Sequence, residues 1–181
     1  MFIFRRIKKS DSKLSFSTGD PVFNDINPDG TLDPFVNADI ISGGAYFTYI
    51  LLRKSEELLE VYAVLRYRLS NIEEFISELQ VCKDIDIELK EIKSTYGNVK
   101  YQIVYLSRVG ILRAKRNRHL SQVVLNFFDF YLLEMEKNIL IYSKVREGKG
   151  KFLGPSYKRV ASNWDKHWKN YIIVVRTIER Q

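Results

Sequence analysis

The chain has 181 residues, a formal net charge of +7, one cysteine and two histidines. Its hydrophobic content of 45% and aromatic content of 13% are sufficient for a packed core and exclude a disordered chain. The lone cysteine excludes an intramolecular disulfide, and so few cysteines and histidines argue against a structural zinc site. We therefore predict a globular protein with no metal and no cofactor.

The charges of this chain are sorted into blocks. Residues 1–13 carry +4, residues 14–52 carry −5 without any Lys or Arg, residues 92–128 carry +7 without any acid, and residues 144–169 carry +6. Blocks of like charge attract an oppositely charged surface. They predict a binding or assembly protein whose counterpart is anionic lipid, nucleic acid or a neighbouring copy.

Residues 1–45 are predicted to be a flexible arm, first basic and then acidic, because turn signals such as Asn27-Pro28-Asp29-Gly30 interrupt every helical period. Residues 2–9 mix apolar and cationic side chains, which suits contact with an anionic membrane. A solvated tail, a first strand or contact with nucleic acid are the alternatives for this segment. The predicted membrane-binding residues are Phe2, Ile3, Phe4, Arg5, Arg6, Ile7, Lys8 and Lys9. The residues predicted to mediate self-association are Asp20, Asp25, Asp29 and Asp33.

Residues 46–181 are predicted to form one compact domain. Leu59–Leu69 alternates between apolar and polar residues, which predicts a strand with one solvated face. Ser70-Asn71-Ile72-Glu73 follows as a capping box and predicts a helix over Ile72–Lys83. Cys82 lies on the apolar side of that helix, where a buried and inert thiol is expected.

The rest of the domain is predicted to be mainly strands. Alternation within Ile85–Ser107 predicts a hairpin around Tyr96-Gly97-Asn98. Leu120–Met135 has helical spacing, but its Val, Phe and Tyr content favours a strand paired with Ile139–Val145. Ser162–Asp165 is expected to start a short helix, and Tyr171–Ile178 is expected to be a strand. The predicted fold class is α+β, an antiparallel sheet with a few short helices preceded by an extended N-terminal arm.

Motifs for catalysis are weak. The chain has neither a Gly-x-Ser-x-Gly elbow nor a phosphate-binding loop of Walker spacing. Glu88-Leu89-Lys90, on a predicted strand, matches the acid-x-Lys pair of metal-dependent nucleases, in which the acid holds Mg²⁺ and the lysine orients water. The neighbouring strand offers no carboxylate at matching height. We therefore predict that the protein is not an enzyme and has no small-molecule substrate.

The basic blocks are the strongest functional signal in the sequence. Cations attract phosphates whatever the base sequence, and interleaved aromatic residues can stack on unpaired bases. The residues predicted to bind nucleic acid or nucleoprotein are Arg108, Arg113, Lys115, Arg116, Arg118, Lys149, Lys151, Lys158 and Arg159.

The order of a basic arm, a proline-containing leader, a strand (Leu59–Leu69), a helix (Ile72–Lys83) and a hairpin (Ile85–Ser107) resembles the matrix proteins of rhabdoviruses and related negative-strand RNA viruses. The resemblance covers residues 1–110. It implies a self-assembling homo-oligomer that bridges an anionic membrane and a ribonucleoprotein or RNA. The protein would lie in the host cytoplasm and at the inner membrane face of a virion, without a signal peptide or transmembrane helix. The alternative is a cytosolic nucleic-acid-binding accessory protein, and a metal-dependent nuclease ranks third.

Overall fold

The computed structural model describes residues 1–8, 11, 45–54, 59–111, 119–148, 153–166 and 169–180, which contain eight strands and three helices. The strands are β1 (Phe2–Arg6), β2 (Tyr46–Lys54), β3 (Leu59–Ser70), β4 (Asp84–Ile85), β5 (Tyr101–Ile111), β6 (Asn138–Arg146), β7 (Lys158–Asp165) and β8 (Lys169–Ile178). The helices are α1 (Ile72–Gln80), α2 (Leu89–Tyr96) and α3 (Leu120–Leu133). Within these ranges, no helix is long and apolar enough to cross a membrane.

The strands are hydrogen-bonded in the order β1-β2-β3-β5-β6-β8-β7-β4. The pairs β1–β2, β4–β7, β6–β8 and β7–β8 are antiparallel, whereas β5 and β6 are parallel. A parallel pair needs a long crossover connection, and α3 provides it between β5 and β6. The predicted α+β class is confirmed, and the sheet contains the parallel pair β5–β6 beside four antiparallel pairs.

The chain divides into two compact units, the first comprising residues 1–67 and 108–127. In this unit β1 pairs with β2 from Phe2↔Arg53 to Arg6↔Tyr49. Phe4 is buried and stacks on Tyr49, with the ring centroids 5.3 Å apart. The segment that the sequence assigned to a flexible arm therefore begins with a paired strand, which was the structural alternative for it.

The second unit comprises residues 68–107 and 128–181. Its core consists of apolar side chains from α1, α2 and the strands β5 to β8. The buried members are Ile72, Phe75, Leu79, Ile92, Ile103, Leu140, Tyr142, Val160, Ala161, Tyr171 and Ile173. The strand over Leu59–Leu69 and the last strand are found where the sequence predicts them, and the helix begins at Ile72 as predicted but ends at Gln80 and not at Lys83.

The structure corrects the predicted strand at Leu120–Met135, which is helix α3. Leu120, Val124, Phe128 and Leu132 recur every fourth residue and are all buried, so they form one helical face. The Val, Phe and Tyr content reflects this burial and not strand propensity. β6 therefore pairs with β5 and β8 and has no hairpin partner in residues 120–135.

Three local predictions also need correction. The predicted hairpin within 85–107 is absent: β4 spans two residues and pairs with β7, and Leu89 begins α2. The predicted helix start at Ser162–Asp165 lies in β7, where these residues pair with β8. The helix cap is shifted by one residue, because Asn71 is the N-cap of α1 and its side chain accepts a hydrogen bond from the Glu74 N–H.

Candidate functional site

The candidate site lies where the parallel pairing of β5 and β6 stops. The register runs from Tyr101↔Asn138 to Tyr105↔Tyr142, although β5 continues to Ile111 and β6 to Arg146. Just beyond, the buried Ser143 hydroxyl donates a hydrogen bond of 2.8 Å to the Leu106 carbonyl. The Ser143 side chain therefore provides a hydrogen-bond donor for the Leu106 carbonyl. The carboxyl ends of parallel strands are the usual place for ligands in open sheets.

Tyr142, the last residue of β6 that pairs with β5, is 2% exposed. Its ring lies between Phe75 of α1 and Tyr105 of β5, with centroid distances of 4.7 and 5.0 Å. The Tyr142 hydroxyl lies 3.2 Å from the Ser70 hydroxyl at the end of β3. Three elements thus hold this phenol in one orientation, which is what acid–base chemistry demands of a proton-transferring group.

Ser70 and Glu74 extend this contact toward solvent. The Ser70 hydroxyl donates a hydrogen bond of 2.5 Å to the Glu74 carboxylate, and the Arg68 guanidinium donates to the same oxygen at 2.5 Å. Glu74 lies in the first turn of α1, and its side chain is 45% exposed. The strand-to-helix junction thereby brings a cation, a hydroxyl and a carboxylate together within seven residues of sequence. We call Tyr142, Ser70 and Glu74 the relay.

The electrostatics of the relay set the protonation state of each end. The hydrogen bond from Ser70, with a further contribution from Arg68, holds the pKa of Glu74 below its usual range. Burial raises the pKa of Tyr142 by more than Ser70 and Arg68 lower it. At neutral pH the relay therefore runs from a protonated phenol to an ionised carboxylate.

Glu74 lines a cleft of about 570 Å³ along α1. Arg68, Glu73 and Glu78 also line it. Glu78 forms an ion pair of 2.8 Å with Lys144 of β6. The cleft is open to solvent, so a proton that reaches Glu74 can exchange with water.

Cys82 lies close to this region but is not suited to act as a nucleophile. Its thiol donates to the Glu78 carbonyl at 3.3 Å, and burial raises the pKa of the thiol. A reactive cysteine needs the opposite shift. The predicted burial on the helix is not found, because Cys82 is half-buried and lies two residues beyond the end of α1, whereas the raised pKa agrees with an unreactive thiol.

A second polar cluster lies on α3. Asp129 and Arg176 of β8 form a bidentate ion pair with distances of 3.0 and 2.7 Å. The guanidinium also lies over the Tyr157 ring, 5.7 Å from its centroid. Burial raises the pKa of Tyr157 to about 12, so this phenol is protonated at any physiological pH.

The residues predicted to bind a membrane lie in and after β1, with Lys9 outside the described residues. Phe4 and Ile7 are buried. Arg5 forms a bidentate pair with Asp11, with distances of 2.7 and 2.6 Å, and Arg6 lies over the Phe47 ring. The apolar side chains that the prediction placed in lipid thus belong in part to the core.

The residues predicted to bind nucleic acid are only partly described. Arg108 lies in β5 and Lys158 and Arg159 lie in β7, where Arg159 pairs with Asp86 at 3.1 Å. Arg113, Lys115, Arg116, Arg118, Lys149 and Lys151 lie outside the described residues, as do the four predicted self-association residues Asp20, Asp25, Asp29 and Asp33. Ligand binding by any of these residues remains a prediction.

The predicted nuclease pair does not form. Glu88 precedes α2 and Lys90 lies in its first turn, so the two side chains are not on a strand. Among the described residues, no group of His, Cys, Asp and Glu could hold a metal ion. The alternation of Ile85, Ile87 and Leu89 that suggested one strand spans the two-residue strand β4, a bend and the first residue of α2, whose buried residue is Ile92.

No protein-family model matches the chain, and no curated protein matches it significantly in sequence. Solved structures match its fold. NAA60 of Arabidopsis thaliana in complex with acetyl-CoA has a TM-score of 0.65 at 15% identity, over 98% of this chain and 99% of that chain. FeeM, an N-acyl amino acid synthase from uncultured soil microbes, has a TM-score of 0.56 at 10% identity, over 97% and 90%. An acetyltransferase from Thermus thermophilus has a TM-score of 0.53 at 14% identity, over 98% and 97%.

These neighbours overturn the resemblance to viral matrix proteins. They are acyltransferases, and the likeness extends over almost the whole chain. A strand followed by a helix and further strands occurs in many α+β domains, so the order of elements could not discriminate between them. The predictions of a virion matrix function, of a non-enzyme, of membrane and ribonucleoprotein partners and of no small-molecule substrate are wrong.

Proposed function

We propose that this chain is an acyl-CoA-dependent N-acyltransferase, which moves an acyl group from a CoA thioester to an amine. The observation that carries the proposal is the likeness to NAA60 bound to acetyl-CoA, which leaves almost no part of either chain unmatched. The similarity to FeeM, an N-acyl amino acid synthase, also supports the transfer of an acyl group to an amine. Because one fold can host several activities, the proposal needs support from the site itself.

The β5–α3–β6 connection supports binding of the nucleotide part of CoA. A helix that follows a parallel strand presents free N–H groups and a positive dipole to phosphates. α3 begins directly after His119, whose φ of 51° lies in the left-handed region. The segment 112–118, outside the described residues, carries Arg113, Lys115, Arg116 and Arg118. In this proposal these four bases contact the phosphates of CoA and not nucleic acid.

Tyr142 supports the chemical step. The amine nitrogen attacks the thioester carbonyl carbon, a C–N bond forms, and the C–S bond breaks. The amine proton passes to the Tyr142 oxygen as the phenol proton leaves toward Ser70, and the CoA thiolate takes a proton from solvent. General base catalysis of this kind contributes about 10² to 10⁴ in rate. A tyrosine can act as a base here because Ser70 donates its single proton to Glu74, which leaves the phenol as the donor in its contact with Ser70.

The test is transfer from radiolabelled acetyl-CoA to a panel of amines: free amino acids, peptides with a free N-terminus and peptides with an internal lysine. We expect incorporation into one class, in proportion to protein concentration. If acetyl-CoA binds and no class is labelled, a longer acyl chain is tested on the same panel. A protein that neither binds acetyl-CoA nor labels any amine contradicts the proposal.

The phosphate contacts have a test of their own. Arg116→Gln with Arg118→Gln should raise the KM for acetyl-CoA about tenfold or more and leave kcat nearly unchanged, because charge-assisted bonds to phosphate act in binding. The matched control is Lys90→Gln with Lys93→Gln, which removes two exposed charges of α2. An equal rise in KM in both double variants would show that the effect comes from the lower net charge of the protein and not from contacts between these arginines and the phosphates.

A further inference from the structure

The hydrogen bonds of the relay have only one possible direction. A serine hydroxyl has a single proton, and an ionised carboxylate can only accept. Because Ser70 donates its proton to Glu74 at 2.5 Å, the contact of 3.2 Å to Tyr142 has the phenol as donor. The Tyr142 hydroxyl proton therefore points toward the Ser70 oxygen, and a lone pair of the phenol oxygen remains that can accept a proton.

We propose that Ser70 and Glu74 are positioning residues for Tyr142, and that they carry its proton to the cleft along α1 during acyl transfer. This inference rests on the proposed function, whose base is Tyr142. Glu74 fixes the orientation of the Ser70 hydroxyl, and Ser70 fixes that of the phenol. The helix that follows β3 thus supplies the acceptor for the proton that the amine loses.

Each proton in the step is accounted for. The amine N–H proton moves to the Tyr142 oxygen, the Tyr142 proton moves to the Ser70 oxygen, and the Ser70 proton moves to a Glu74 carboxylate oxygen. Tyr142 and Ser70 end as they began, and Glu74 gains one proton, which water in the cleft removes. No oxidant or further reactant is needed.

The surroundings of Glu74 keep it ionised and therefore ready to accept. Arg68 of β3 bonds the same carboxylate oxygen, while Glu73 and Glu78 of α1 are the nearby acids. Lys144 of β6 neutralises Glu78 through their ion pair of 2.8 Å. Of these two acids, Glu73 has no ion-pair partner among the residues that the structure describes. The relay should lose its acceptor only at acidic pH.

The decisive experiment compares variants of the full chain in transfer from acetyl-CoA to an amine that the wild type uses. Glu74→Gln and Ser70→Ala should each lower kcat about 10- to 100-fold, a part of what a general base contributes. The KM for acetyl-CoA should not change. Ser70→Thr, which keeps a hydroxyl, should restore most of the rate. Glu73→Gln is the matched control, one residue away in the same turn of α1, and should stay within about twofold.

Two further readouts separate proton transfer from a structural role. The acidic limb of the kcat profile against pH should be lost in Glu74→Gln and kept in Glu73→Gln. The double variant Ser70→Ala with Glu74→Gln should be no slower than Ser70→Ala alone, since both act through one path. Thermal unfolding of every variant shows whether it folds.

The outcomes distinguish the two proposals. If the wild type is active and neither Ser70→Ala nor Glu74→Gln changes the rate or the pH profile, the role of the relay is refuted and the proposed function is not affected. Additive losses in the double variant, without a change in the pH profile, also overturn the relay. A wild type that does not bind acetyl-CoA overturns both.

Discussion

Tyr142→Phe should separate activity from stability. The change removes one hydroxyl and one hydrogen bond of 3.2 Å, and it leaves the ring contacts with Phe75 and Tyr105 in place. Ser70 keeps its bond to Glu74, so no buried group is left without a partner. The free energy of unfolding should therefore fall by less than about 1 kcal/mol, the net value of one such hydrogen bond. The rate of acyl transfer should fall by about 10²-fold or more, because the proton acceptor is gone.

The assay is steady-state transfer from acetyl-CoA together with urea unfolding of the same preparations. Tyr157→Phe is the matched control, because it removes a buried phenol hydroxyl beside Arg176 in the same unit. It should leave the rate unchanged. A Tyr142→Phe variant with the rate of the wild type would refute the assignment of Tyr142, and a loss of several kcal/mol would show that its hydroxyl serves the fold.

Two further predictions concern the fold. Phe128→Ala should destabilise the protein by about 3–5 kcal/mol, because this side chain in α3 is 1% exposed. Phe130→Ala should cost less than about 0.5 kcal/mol, because that side chain is 65% exposed. Equal losses of stability in urea unfolding would contradict the assignment of the buried face of α3. Asp11→Asn should cost about 2 kcal/mol at neutral pH by breaking the Arg5 pair. Burial alone would raise the pKa of Asp11, but bonds from Arg5 and the Lys8 N–H hold it below its usual value, so this stability is present above the unfolded pKa and lost as pH falls through the folded one. A variant whose stability differs from that of the wild type by the same amount at every pH would exclude this linkage.

Part of the fold could be predicted because the signal was local. The β3–α1 junction is set by period-2 alternation followed by a cap, and both are readable within 25 residues. α3 was missed because Val123, Phe127 and Tyr131 satisfy strand propensity and helical spacing together. Burial decided in favour of the helix, and the sequence alone does not show which faces are buried. The parallel β5–β6 pair depended on that helix and was missed with it.

The candidate site, like the fold, could be predicted only where its residues are close together in the sequence. Arg68, Ser70 and Glu74 fall within one short stretch, and Ser70 already stood out as a capping residue. Tyr142 is 72 residues further along the chain from Ser70, so no spacing rule connects them. The charge blocks indicate an anionic counterpart, but phosphate carries the same charge in lipid, RNA and a nucleotide cofactor. For this reason they could not identify the partner.

The central claim is most directly tested by calorimetric titration of the full chain with acetyl-CoA. We expect saturable binding of one molecule per chain, weakened by Arg116→Gln with Arg118→Gln and unchanged by Glu74→Gln. At a ligand concentration of about 100 times Kd, the protein should gain about 2.7 kcal/mol of stability against unfolding. Absence of binding at millimolar acetyl-CoA, in a protein that unfolds cooperatively, would contradict it.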